Sequence, residues 1–241
     1  MRYMKITSYD FSWPETLLKD QIFLELGPGP TLGLCPLSLH LGSSSAIAVE
    51  PMFNDQILVD QRFSNLYLQN LHHDLAAIFP RSHASTSFPE FQKLIKEKIC
   101  TVRDINEVPE SFKSRVGFVF SNSVLEHVSC LGSTLETLFS LMKPGSYFIH
   151  AVDFGDHATP SSPFEKIYDS TRTYLSGKNA PINSLRPSEM KSLFKDAGFD
   201  TDFKVYYRSV LPEQSKIDVY WRQFDEEELS IKVAFFFGKK A

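Results

Sequence analysis

The chain has 241 residues, enough for one large domain with a proper buried core, whereas two full domains would be a squeeze. Its 42% hydrophobic and 22% charged residues are those of an ordinary globular protein and exclude wholesale disorder. The formal net charge of −4, with Lys93, Lys96 and Lys98 interleaved with other residues and Lys239 and Lys240 at the end, lacks the basic stripe of a nucleic-acid binder.

Cys35, Cys100 and Cys130 are far apart and have no C-x-x-C spacing, which argues against a zinc site and a disulfide framework and fits a reducing cytoplasm. The N-terminal stretch is interrupted by Asp10, Glu15 and Asp20. No signal-peptide core or membrane span is expected there or later.

In chain order, Ile22 to Leu26 is a short apolar run ending at glycines, Leu34 to Leu41 suits a helix, and Ala46 to Val49 is a second apolar run. Ile99 to Val102, Val116 to Phe120 and Tyr147 to Val152 read as further strands. Leu135, Leu138 and Leu141 mark a helix face over about 133–142, with Lys143, Pro144 and Gly145 as its stop. Alternation of this kind predicts an α/β fold with a mostly parallel sheet and helices on both faces.

Ligands of such sheets bind at the carboxyl ends of the strands. The first strand ends in Glu25-Leu-Gly27-Pro-Gly29-Pro-Thr-Leu-Gly33, one residue longer between the last glycines than the dinucleotide fingerprint. Glycines there allow a sharp turn and close backbone approach, and the following helix offers unpaired N–H groups. Glu50, 21 residues beyond Gly29, ends the second strand, where a carboxylate can accept both ribose hydroxyls. Glu25 would be unhelpful beside a pyrophosphate but tolerable beside an ammonium. A nucleoside carrying a cation satisfies both acids, and S-adenosylmethionine is such a molecule.

The wider pattern agrees. Glu25 to Gly33, then Val49-Glu50-Pro51, then Ser121-Asn122-Ser123-Val124-Leu125-Glu126-His127-Val128, then Leu141-Met142-Lys143-Pro144-Gly145, resemble the class I S-adenosylmethionine-dependent methyltransferases, particularly those acting on small molecules. Leu185-Arg186-Pro187-Ser188-Glu189-Met190 with Ala197-Gly198-Phe199 is similar to a late helix of that family. The resemblance covers roughly 20–52 and 98–210. It implies a Rossmann-like seven-stranded sheet whose last strand, Ile231 to Phe237, is antiparallel and follows a strand near Phe203 to Ser209. It also implies that Gly27, Gly29 and Glu25 line the methionine part of the cofactor and that Glu50 holds its ribose. Asp104 would stand near the adenine amino group, and Ser121 and Asn122 would close over the cofactor. Gly117, where the family usually has Asp, and Pro30, where it has a small residue, depart from the pattern.

The expected organisation is one methyltransferase domain over residues 1–241, with two segments that choose the acceptor. The first, about 53–98, carries Phe63, Leu66, Tyr67, Leu68, Leu71, Leu75, Ile78 and Phe79 in an amphipathic pattern and suits a lid, or a surface for a homodimer or partner protein. The second, about 153–186, leaves the sheet at its carboxyl edge. There His157, flanked by Asp153 and Asp156, is the candidate base for an acceptor hydroxyl, with His150 second. The competing role of these polar groups is to tie down a long loop. Glu126 and His127 open a helix and are expected to orient that turn. His72 and His73 beside Asp74 read as a solvated face rather than a metal site, and Ser82, Ser85 and Ser87 as a loop.

The expected activity is methyl transfer from S-adenosylmethionine to a small-molecule acceptor, at oxygen rather than nitrogen. The alternatives are a non-catalytic cofactor-binding subunit, with 53–98 as the partner surface, and a nicotinamide-dependent oxidoreductase. The longer glycine turn and Glu25 oppose the second alternative.

Overall fold

A computed structural model describes residues 17–54, 56–79, 87–157, 159, 161–169 and 182–241. Ser82 and Ser85, and the expectation about the N-terminal sixteen residues, lie outside the described residues. Seven strands form one hydrogen-bonded sheet in the order β3-β2-β1-β4-β5-β7-β6. The described chain divides into two compact units, 17–120 with 140–146 and 121–139 with 147–241.

The first unit begins with β1 (Ile22–Leu26), buried at every position. It continues through α1 (Cys35–His40), β2 (Ser45–Val49), α2 (Gln56–Val59), α3 (Gln61–Ile78), α4 (Phe88–Lys98) and β3 (Ile99–Val102) to β4 (Val116–Asn122), whose last two residues belong to the second unit. β2 runs parallel to both β1 and β3. Leu24, Ala46, Ile47, Val116 and Val119 are buried, which explains why these strands read as continuous apolar runs rather than alternating ones. Ser87 begins α4, and the Glu90 carboxylate reaches back to accept its amide at 2.8 Å, satisfying an otherwise unpaired donor.

Gly117 is explained by space: a Cβ there would run into the Gln21 side chain, whose amide oxygen accepts from Lys143 Nζ.

In the second unit, α5 (Leu131–Leu141) and β5 (Met142–Asp153) each begin or end in the first. α6 (Glu165–Tyr168), α7 (Pro187–Asp196), β6 (Phe199–Arg208), α8 (Glu226–Leu229) and β7 (Ile231–Lys240) follow. β7 is antiparallel to both neighbours, β5 and β6. A second core gathers Phe164, Tyr168, Ile182, Trp221 and Leu229.

The largest differences from expectation are at two boundaries, the starts of β5 and β6. The helix stops at Leu141 and the chain enters β5 at once, so Lys143, Pro144 and Gly145 lie in a strand. The last helical carbonyls are taken by the amides of Ser114 and Arg115, at 3.0 and 2.9 Å, so no separate stop is needed. β6 starts at Phe199 rather than Phe203, because Gly198, at φ +98°, turns the chain straight from helix into strand. Among the described residues no helix is long and apolar enough to cross a membrane.

Candidate functional site

In the first unit the glycine turn is held from three sides. The Gly27 amide donates to the Val49 carbonyl at 2.9 Å, and the Gly29 amide donates to Glu50 Oε2, also at 2.9 Å. Gly29 has φ +72° with open space where a Cβ would stand, so backbone lies bare at this point. The hydroxyl of Tyr67, on α3, donates to the Thr31 carbonyl at 2.7 Å and ties the 53–98 segment to the same turn.

Glu50 is nearly buried, and its second oxygen accepts the Met52 amide at 2.9 Å. Each carboxylate oxygen keeps a further lone pair, so two ribose hydroxyls can still be accepted. Beyond the ends of β2 and β3 lies a cavity of about 240 Å³ lined by Phe53, Thr101, Val102, Arg103 and Glu107. An apolar ring beside polar groups, next to a carboxylate and a bare glycine backbone, fits the adenosine half of a nucleoside cofactor.

Glu25 is hydrogen-bonded within the turn itself. Its Oε2 accepts the Leu34 amide at 2.6 Å and lies 3.8 Å from the Cys35 thiol, and a Cβ at Gly33 would sit 2.7 Å from both its oxygens. It thus braces the turn from beneath. Burial pushes its carboxyl up to about 7, against these hydrogen bonds, which lower it. Asp104 is exposed and caps the 3-10 turn Ile105–Glu107, accepting the Asn106 backbone and side-chain amides at 2.8 Å.

In the second unit, Ser121 is buried with its hydroxyl 2.7 Å from His150 Nδ1, and Asn122 is exposed. His150 is packed against the rings of Phe148 and Phe194, and burial lowers its imidazole to about 3. A neutral ring sealed this way is core, out of reach of an acceptor.

A polar group gathers instead around the 3-10 turn Leu125–His127, which Asn183 ties down by donating its side-chain amide to the carbonyls of Leu125 and Val128, at 2.7 and 3.0 Å. Glu126 is 2% exposed; its Oε1 accepts the Asp153 amide at 3.3 Å, and burial pushes its carboxyl up to about 8. The His127 and His157 rings meet edge-on at 5.0 Å. Asp153 Oδ2 accepts from Lys232 Nζ at 2.7 Å and lies 4.0 Å from His157 Nε2. Burial lowers the His157 pKa despite Asp153, so its imidazole is neutral near pH 7. The expected pair of Asp153 and His157 is therefore joined by Glu126, His127 and Lys232, which sequence spacing did not connect to it. Glu126 carried one available signal, an acid set directly after apolar Val124 and Leu125.

Elsewhere, His72 packs on the Phe88 and Phe91 rings, at 5.9 and 5.1 Å, while His73 is exposed beside Asp74. No curated protein matches the sequence at a significant level. Among solved structures, the fold is similar to a proposed S-adenosylmethionine-dependent methyltransferase from Listeria monocytogenes, with TM-score 0.54, 10% identity, and 100% and 97% of the two chains covered. It is also similar to S-adenosylmethionine-dependent methyltransferases from Mesorhizobium loti (TM-score 0.52, 12% identity, 94% of each chain) and Archaeoglobus fulgidus (TM-score 0.51, 15% identity, 99% of this chain and 93% of that one). These likenesses establish the fold. A family model described as a methyltransferase domain matches residues 8–202, well over half of the sequence. The chain belongs to that family, the class I S-adenosylmethionine-dependent methyltransferases.

Proposed function

We propose that this methyltransferase acts on a hydroxyl oxygen of a small-molecule acceptor. The observation that carries the reading is the neutral His157 imidazole, exposed and set beside Asp153 on the segment that follows β5. S-adenosylmethionine supplies the methyl group as an electrophilic sulfonium. Gly27, Gly29 and Glu50 hold it, with Glu25 fixing the shape of the turn; Asp104, Ser121 and Asn122 flank it.

Methyl transfer to oxygen is a displacement in which the O–C bond forms as the C–S bond breaks, and the hydroxyl proton must leave. His157 receives that proton, and Asp153 supports the charged ring that results. The rest is alignment and exclusion of water. The lack of a basic stripe favours a small molecule over nucleic acid. Residues 53–98 and 153–186 are read as the acceptor-selecting segments of one catalytic domain.

Calorimetric titration with S-adenosylmethionine, its demethylated product and NAD tests the cofactor half. The first two should bind and NAD should not; Glu50→Ala should weaken both, and unchanged affinity would remove the ribose assignment. Acceptor screening with His157→Ala tests the rest. Full cofactor affinity with turnover on hydroxyl acceptors lost is the expected result, and normal turnover would show that His157 moves no proton.

A further inference from the structure

We infer that Glu126, His127 and His157 form a binding site for one divalent transition-metal ion, zinc-like in its donor set. Each of the three offers one ligand atom, and these atoms all lie within 4.8 Å of one another. Ligands at zinc-like bond lengths in a tetrahedron stand about 3.4 Å apart, so a modest inward movement closes the site. His157 is the side chain free to make it, since it is exposed and lies on the segment after β5, whereas Glu126 and His127 share a turn pinned by Asn183.

A second observation points to a ligand independently. Glu126 is buried, one of its oxygens accepts the Asp153 amide, and the other, Oε2, has no hydrogen-bond partner among the described residues. An acceptor left so inside a protein is costly, and a cation is what it lacks. The donors match a known preference: two imidazoles and one carboxylate, with the fourth position left for water or substrate, are the set of open zinc sites.

Lys232 is the nearest opposing charge. Its ammonium is held by Asp153 at 2.7 Å, which leaves the Glu126 carboxylate to balance the ion. Asp153 also stands behind His157, 4.0 Å from Nε2, where a carboxylate can orient a ligating ring.

The use of the ion rests on the methyl-transfer reading. An acceptor hydroxyl entering the open position would lose its proton more readily, to solvent water, and His157 would then serve as a ligand instead of as a free imidazole. The chemical class of acceptor that suits such a site has an oxygen able to ligate a metal as an anion, such as a phenol or an enol.

The test uses the full chain, freed of purification tag and stripped with a chelator, and titrated with Zn²⁺ and with Co²⁺. One ion per chain is expected, with the visible absorption of tetrahedral cobalt. His157→Ala, an exposed position that leaves the fold intact, should weaken binding by roughly tenfold or more, and Glu126→Gln at least as much. Wild-type affinity in the His157 variant, or no stoichiometric binding by the wild type, would overturn the site. Cation binding without S-adenosylmethionine binding would support the site while sinking its use in methyl transfer. S-adenosylmethionine binding with no cation bound would overturn the site and leave the methyltransferase reading untouched.

Discussion

Glu25 and Glu126 show how one residue type takes on separate tasks when buried in different surroundings. Glu25 spends its hydrogen bonds on the Leu34 amide and stays near half-protonated at neutral pH, with its carboxyl at about 7. Because its folded pKa lies above the ordinary value of 4.5, the folded state holds the proton more tightly than the unfolded chain. Its contribution to stability is therefore largest below pH 4.5 and falls as pH rises toward 7, by about 3 kcal/mol. His150 works in the opposite sense: its folded pKa is depressed to about 3, so its contribution is present above 6.5 and is lost as pH falls from 6.5 toward 3. Glu25→Gln keeps an acceptor for Leu34 while removing the titration, so comparison with the wild type isolates one group from the other. Urea denaturation at pH 5 and pH 8 should show the wild type losing about 2.5 kcal/mol relative to Glu25→Gln across that interval. Parallel behaviour of the two proteins would mean that Glu25 is not held neutral by the fold.

At the scale of elements, Arg186 joins pieces that are distant in sequence. It stands immediately before α7, wholly buried, with its guanidinium 5.0 Å from the Phe154 ring and 5.6 Å from that of Tyr168. It donates to the Tyr168 hydroxyl at 2.7 Å and to the Ile231 carbonyl at 3.1 Å, so the segment after β5, helix α6 and the start of β7 share one cation. Burial pushes the Tyr168 hydroxyl up to about 12, and it remains a donor, to the Leu229 carbonyl at 2.7 Å. Arg186→Met roughly keeps the volume but removes the ring contacts and orphans the Ile231 carbonyl. It should lower unfolding free energy by about 3 kcal/mol. Arg186→Lys should recover little, because an ammonium cannot reach several acceptors with a planar fork. A midpoint within error of the wild type for Arg186→Met would show the cage to be incidental.

For the whole molecule, the sheet was the most readable part. β1, β2 and β3 lie within a residue of their expected positions; β1 and β2 are buried on both faces and so read as near-continuous apolar runs, and β3 is a short run between a helix and a polar turn. The start of β5 was not, since Pro144 and Gly145 carry the local marks of a helix stop and only pairing across the sheet overrides them. The candidate site was legible by half. Gly29 and Glu50 stand where the sequence put them and are directly hydrogen-bonded. Glu25 stands at the end of β1 as expected, but the direction of its carboxylate, toward the Leu34 amide, is set by the tertiary path of the turn and not by any local pattern. The joining of Glu126 to Asp153 and His157 spans about thirty residues of chain and is a product of tertiary folding alone.

The position of Cys35 makes the glycine turn observable by chemistry. Its thiol is buried, 3.8 Å from Glu25 Oε2, and burial with that neighbouring carboxylate raises its pKa well above the ordinary value. Cys130 is exposed and Cys100 half-buried. A disulfide reagent should therefore consume Cys130 at once and Cys100 more slowly, and reach Cys35 only when the turn lifts away from β1. Cofactor at saturation should slow the Cys35 phase and leave that of Cys130 unchanged; equal slowing of both would contradict this. The native thiol thus acts as a clock for how often the turn opens, a rate that no equilibrium titration reports.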